Sequence, residues 1–287
     1  MPSRSDLQQR IASLTNIQKV TGAMNTIASL RFRKLVEKQA ALEKFESELS
    51  GWLLATPPLV LQEEAFSAAV QGRASKNLAV VFTSDRGLCG AHNHSVHRVL
   101  DRFVRDTENV GKTVELVCIG NKGSAYARRR GYRVVQQKLA KEPTVSELRE
   151  LADHIVDQFL TGEVGTVELI YNRFVSMLRQ ITQERTILPL AKLVEQSSLV
   201  EQNSGSDPTF DEKGLRLAVR YLLAVAFAHS AISEQAARRT AMDNASKNAR
   251  DLTTQAVKEQ NRARQAGITG EIIEIVSGKE AMKRSRP

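Results

Sequence analysis

The residues best suited to chemistry in this 287-residue chain lie in "TSDRGLCGAHN", Thr83 to Asn93. An apolar run, Leu78 to Phe82, empties into a glycine-flanked cysteine, Gly87-Leu88-Cys89-Gly90-Ala91, with histidines just beyond. A nucleophile elbow needs such a frame of small residues on a strand-to-helix turn and a base close enough to take the proton. The frame is half satisfied here. Gly87 and Gly90 equally suit a tight turn with positive φ, and Asp85 can accept bonds from neighbouring amides. The residue types therefore favour turn chemistry, with a Cys89 hydrolase as the rival from the enzyme class.

Other candidates are weaker. His92, His94 and His97 could ligate a metal, but only His94 and His97 stand in a helical i, i+3 relation, and no carboxylate or cysteine cluster completes a shell. They read as surface histidines, and no metal or cofactor is expected. "GKT" at Gly111 to Thr113 resembles the end of a phosphate loop, yet Asp106 stands where its first glycine belongs and a strand follows. The run Arg128-Arg129-Arg130 lacks interleaved aromatics, which make up 5% of the chain, and reads as a solvated basic face.

A formal charge of +9 favours acidic partners: nucleic acid, an anionic membrane surface or acidic protein loops. The charge is spread along the chain instead of concentrated on one recognition element, which weakens the reading as a nucleic-acid-binding coiled coil. Cys89 and Cys118 fall at the ends of apolar runs and read as reduced thiols of an intracellular protein. The N-terminus "MPSRSDLQQRIASL" lacks a signal peptide's apolar core, and no run approaches the roughly 20 apolar residues of a spanning helix.

The elements that must position these residues are legible from periodicity. From Ser3 to about Leu54 apolar residues recur at helical spacing: Leu7, Ile11, Leu14, then Val20, Met24, Ile27, then Leu35, Leu42, Phe45, Leu49, Trp52. This predicts one helix about 75 Å long, stopped by Pro57-Pro58. The middle alternates strands and helices. "LAVVFTS", a helix near Ser95 to Thr107, "TVELVCIG", a short helix "SAYARRR", "YRVVQQ", a helix from Thr144 to Leu160 and "TVELIYNRFV" imply a largely parallel sheet. Thr144 and Glu147 have capping-box spacing. An edge hairpin through "ITQERTILPL" and a linker-like "SSLVEQNSGSDP" follow.

From about Phe210 to Ser277 the helical period returns: Met242, Ala245, Ala249, Leu252, Ala256, Glu259, Ala263, Ala266. An alanine seam lets another helix approach closely but buries little apolar area by itself, so this helix needs a partner. The first helix is the obvious one. The expected fold is α/β: a long antiparallel coiled coil of N- and C-terminal helices plus a Rossmann-like domain with a largely parallel sheet. The expected segments are 1–56 (helix), 57–76 (connector), 77–196 (α/β domain), 197–209 (linker) and 210–287 (helix and basic tail). Arg31, Arg33, Arg238, Arg239 and Arg264 would face whatever grips the shaft.

"RIASLTNIQKVTGAM", "FTSDRGLCGAHN", "SEQAARRTAMDNASKNARDL" and "NRARQAGITGEIIEIVSG", in this order, closely resemble the gamma subunit of rotary F-type ATP synthases. The resemblance implies a non-catalytic central stalk, its coiled coil inserted in a hexamer of alpha and beta subunits. Its α/β domain would sit with the epsilon subunit on the membrane c-ring, with no nucleic acid as partner. It places the protein peripherally on the inner face of a bacterial plasma membrane, or of an organellar one. Carried over residue by residue, it makes Arg238 a helix residue facing beta and Arg264 and Gln265 part of a catch for beta-subunit loops. Thr269 and Glu271 lie just beyond, and Gln18, Lys19, Thr21 and Met24 match the first helix's stretch near the same catch. Ser84, Asp85, Arg86, Gly87, Cys89 and Gly90 become a structural family loop. Two departures stand out: Gly22 replaces the usual lysine, and "EQNSGSDPTFDEK" lacks the tyrosine- and glutamate-bearing stretch many relatives have near the c-ring.

Overall fold

The computed structural model describes residues 4–55, 76–135, 143–189 and 212–284. The expected stop at Pro57-Pro58, the linker 197–209 and the side chains of Leu42, Phe45, Leu49 and Trp52 lie outside the described residues. The terminal helices are α1 (Arg4–Ala55) and α5 (Glu212–Arg284). Between them come β1 (Lys76–Phe82), α2 (His92–Asn109), β2 (Thr113–Ile119), α3 (Asn121–Arg129), β3 (Arg133–Val134), α4 (Val145–Leu160), β4 (Thr166–Phe174) and β5 (Gln180–Leu188). By packing, the chain divides into two compact units, Ala28–Thr240 and Met1–Ile27 with Ala241–Pro287.

The unit 28–240 is built on a five-stranded sheet of order β3-β2-β1-β4-β5, parallel except for β5, which returns antiparallel beside β4. β1 reads "KNLAVVF" because both of its faces are covered. Leu78, Val80 and Phe82 pack with Leu151, Ile155 and Phe159 of α4 and with Leu215, Val219 and Leu222 of α5. On the opposite face, Ala79 and Val81 meet Val96, Leu100 and Phe103 of α2. The expected capping box starts α4: Glu147 N–H donates to Thr144 Oγ1 at 3.2 Å, and Thr144 N–H donates to Glu147 Oε2 at 2.7 Å. α1 joins this unit where Phe32 meets Phe174 edge to face, ring centroids 5.6 Å apart.

One sequence expectation needs correcting. Among the described residues, α5 is long and apolar enough to cross a membrane, although no such run was expected. Of that window, 61% is buried inside the protein, and the run Leu215–Ala226 belongs to the core beneath the sheet. A core helix covered by a sheet and a neighbouring helix is apolar around most of its circumference, so composition alone resembles a bilayer span.

In the other unit, buried and half-buried positions of α1 run through Leu7, Ile11, Leu14, Gln18, Thr21 and Asn25, steps of four and three. Those of α5 run through Met242, Ser246, Ala249, Thr253, Ala256, Gln260 and Ala263. This heptad rhythm is that of a coiled coil. The pair is antiparallel. Arg10 meets Glu259 at 3.9 Å, and from there α1 continues its buried seam toward its C-terminus while α5 keeps its own toward its N-terminus.

The seam is the expected one in part: Leu7, Ile11, Leu14, Met242, Ala249, Ala256 and Ala263 turn inward as the periodicity indicated. Val20 and Ile27 are more than half exposed, as Leu252, Glu259 and Ala266 are exposed on α5, while Gln18, Thr21, Thr253 and Gln260 turn inward. At the positions that differ, the inward residue is the next one along the chain, Thr21 for Val20, Thr253 for Leu252 and Gln260 for Glu259, a rotation of about 100°. Close approach favours the smaller residue at Thr21 and Thr253. The threonines also satisfy their own hydroxyls, Thr21 Oγ1 donating to the Ile17 carbonyl at 2.9 Å and Thr253 Oγ1 to that of Ala249 at 2.7 Å.

Two glycines give opposite expectations. A Cβ on Gly22 would meet nothing within 4 Å, so Gly22→Ala should raise unfolding free energy in urea by up to about 1 kcal/mol. Gly120 has φ +100°, and its Cβ would lie 2.1 Å from the Thr83 carbonyl oxygen. Gly120→Ala should therefore destabilise by more than about 2 kcal/mol in the same titration.

Candidate functional site

In this sheet the chain runs from β1 through β2 to β3 and returns on the other side of β1 as β4. The topological switch point thus lies between β1 and β4, at the carboxyl ends where doubly wound proteins bind ligands. "TSDRGLCGAHN" leaves β1 at this point. Its acceptors cover the start of α3, where unpaired N–H groups and the helix dipole would otherwise attract an anion. Asn121 N–H donates to Asp85 Oδ1 at 3.0 Å, Lys122 N–H to the Ser84 carbonyl at 3.1 Å, and Gly123 N–H to Thr83 Oγ1 at 2.8 Å. Asp85 does accept from an amide, but from one 36 residues along the chain instead of from a neighbour in its own turn.

Cys89 is 2% exposed. Its sulfur lies 3.3 Å from Asn93 Nδ2, 3.5 Å from Ser84 Oγ and 3.9 Å from the Arg86 carbonyl, none of them a base. The left-handed backbone falls on Leu88 (φ 63°) and Gly90 (φ 56°); Gly87, expected to share that role, is not in this region. Leu88 points outward, 59% exposed. A leucine in this conformation carries strain that its surroundings must hold.

The next histidine corrects another expectation, because His92 is buried. Its Nδ1 accepts from Asn172 Nδ2 at 2.9 Å, which puts the proton of the neutral ring on Nε2. Burial, and secondarily the charge of Arg238, push its pKa down to about 4. Asn172 was invisible in the sequence as a hub. Its Oδ1 accepts from Thr182 Oγ1 at 2.6 Å and Ser95 Oγ at 3.2 Å, and its carbonyl accepts from Ser233 Oγ of α5 at 2.9 Å. The switch-point crevice is therefore filled by the protein's own helix. Elsewhere His97 stacks on Tyr126 with centroids 3.9 Å apart, and Arg130 binds Asp101 at 2.9 Å. Burial pushes the Cys118 thiol up to about 12. No cluster of three metal-ligating side chains occurs among the described residues.

Arg238 lies at this same edge with its side chain 13% exposed, its Nη1 2.6 Å from Glu234 Oε1. The other carried-over residues belong to the helix-pair unit. Lys19, Arg264, Gln265, Thr269 and Glu271 are exposed, Gln18 and Met24 half-buried and Thr21 buried. The structure does not bring the two catch stretches together. With Arg10 opposite Glu259, Gln18 lies eight residues to one side and Arg264 five to the other, a separation of about 20 Å along the pair.

A doubly wound sheet whose ligand crevice is closed by its own helix, with long helices from both chain ends forming an antiparallel pair, defines an α/β protein with a terminal helix pair. The family model described as ATP synthase matches residues 3–282. The chain is 34% identical to the ATP synthase gamma chain of Clostridium acetobutylicum, covering 96% of this chain and 97% of that one. It is 31% identical to that of Paracoccus denitrificans, covering 98% and 100%. The chain belongs to the ATP synthase gamma chain family. In fold it is similar to a chain of the Euglena gracilis mitochondrial ATP synthase solved with OSCP, F1 and c-ring (TM-score 0.68, 17% identity, covering 99% and 96%). It is also similar to one from the central stalk and c-ring of Tetrahymena thermophila mitochondrial ATP synthase (TM-score 0.53, 23% identity, covering 79% and 99%).

His92 gives a pH signature. Its folded pKa, near 4, is below the unfolded 6.5, so between these values the unfolded chain binds the extra proton and stability rises with pH. From pH 6.5 to 4 the chain should lose roughly 3 kcal/mol through this group, and urea titrations of His92→Gln should show a correspondingly shallower slope.

Proposed function

We propose that this chain is the central rotor shaft of an F-type ATP synthase. It couples ion-driven rotation of a c-ring to ATP synthesis at alpha/beta sites, or ATP hydrolysis to ion pumping in reverse. The observation that carries this reading, beyond family membership, is the far end of α5. Past Ala263 it outruns the start of α1, and Ile268, Ile272, Ile273, Ile275 and Val276 are all about half exposed or more. So much apolar surface on the end of one helix needs an enclosing partner. The small-residue seam and the charged flanks suit a shaft that turns inside its collar without locking into one register.

In this role the subunit performs no phosphoanhydride chemistry itself. Its partners are the alpha and beta subunits around the helix pair, with the epsilon subunit and the c-ring at the α/β domain. The complex lies peripherally on the inner face of a bacterial plasma membrane. Arg264, Gln265, Thr269 and Glu271 form one polar contact zone with alpha and beta. Gln18, Lys19, Thr21 and Met24 form a second one further along the pair, and Arg238 with the Ser84–Gly90 loop a third.

Reconstitution with alpha and beta chains tests this. A complex with one copy of this chain per three beta chains, and multi-site ATP hydrolysis that depends on it, is the expected result. Arg264→Ala should lower that turnover severalfold at unchanged thermal stability. A chain that neither assembles nor alters turnover would reject the rotor reading, and an unaltered rate in the assembled Arg264→Ala complex would reject the contact zone.

A further inference from the structure

Arg238 is a guanidinium largely removed from water, and such a charge persists only with a counter-charge and acceptors for its N–H groups. Glu234, one helical turn earlier on α5, supplies the charge at 2.6 Å. Nη2 of the same guanidinium reaches across to the Arg86 carbonyl at 3.5 Å. That carbonyl is held from its other side by Ser84 Oγ, which donates to it at 2.6 Å. Two residues further on, Leu88 stands exposed in a left-handed conformation it would not choose by itself. Arg238 thus ties the strained loop to α5, and Glu234 holds Arg238 in place.

We propose that Glu234 is the positioning residue of this contact surface: its carboxylate clamps Arg238 against the Arg86 carbonyl, so that α5 and the Ser84–Gly90 loop present Leu88 to the partner as one rigid unit. This rests on the rotor reading for the partner, but not for the clamp. Movement of the loop reaches α5 through the hydrogen bond from Arg238 Nη2 to the Arg86 carbonyl, and the ion pair within α5 fixes the guanidinium that makes it. The charged groups facing Glu234 are Arg238 of α5, Asp85 of the loop and Arg31 of α1, and Gln235 Nε2 lies 3.3 Å from its Oε1. Burial raises its pKa most, with Arg238 opposing, so acid releases the clamp.

The test is Glu234→Gln, isosteric but uncharged, with Arg238→Lys as a second variant that keeps the charge and loses the two-armed reach. In the isolated full-length chain, both should speed amide exchange at Arg86 to Gly90 by about tenfold while exchange in β1 and α4 stays unchanged. In the complex reconstituted with alpha and beta chains, Glu234→Gln should assemble normally and turn over severalfold more slowly. Its deficit relative to wild type should narrow toward acid pH, where the wild-type carboxylate takes up its own proton. Unchanged loop exchange in both variants would overturn the clamp. A loosened loop with wild-type turnover at every pH would overturn its role in the contact. If the wild-type chain itself supported no turnover, the rotor reading would fail, while the exchange data would still decide the clamp.

Discussion

The packing of α5 across the sheet is the interaction on which the rest of the structure depends. Its run Leu215–Ala226 supplies one wall of the core, and Ser233 then ties it to Asn172 at the end of β4. Because that helix lies over the switch point, the position where a doubly wound sheet ordinarily admits a ligand is closed. Asn172 gathers the polar groups there, bonding His92 Nδ1, Ser95 and Thr182, while the buried Nε2 of His92 has no hydrogen-bond partner. Residues that look like a reactive centre in the sequence become the joint between a sheet and a helix.

The same economy governs the helix pair. Large apolar knobs would hold two helices more tightly, but the seam is made mostly of alanine, threonine, serine, asparagine and glutamine, with leucine and isoleucine toward the start of α1 and Met242 on α5. Small residues allow close approach and threonine hydroxyls bond back to their own helix, so the pair closes with few unsatisfied groups. The displaced apolar side chains Val20 and Ile27 lie on the outside, with Ile17. Along much of its length the pair thus turns small residues inward and leaves Val20, Ile27 and Leu252 on its outer face.

The loop after β1 shows how strain and electrostatics are combined. Asp85 and its neighbours spend their acceptors on the start of α3, which fixes one side of the loop. Arg238 fixes the other, and its charge also helps keep the His92 ring neutral. Leu88 remains at the tip in a conformation that neither side alone would impose.

Much of this was legible without coordinates. The two long helices, the largely parallel sheet implied by alternating elements and the Thr144 capping box follow from local rules of period, capping and hydrogen bonding that act within a few residues. What the sequence could not decide was which of two adjacent residues turned inward at alternate seam positions, Val20 or Thr21 and Leu252 or Thr253, since both keep the helical spacing to the shared positions. Nor could it reveal that His92 is buried against Asn172, that Arg238 turns toward the loop, or that α5 seals the crevice. These join residues 61 to 152 positions apart in the chain. Such contacts are settled by which surfaces the folded chain leaves available, and that is a property of the tertiary structure alone.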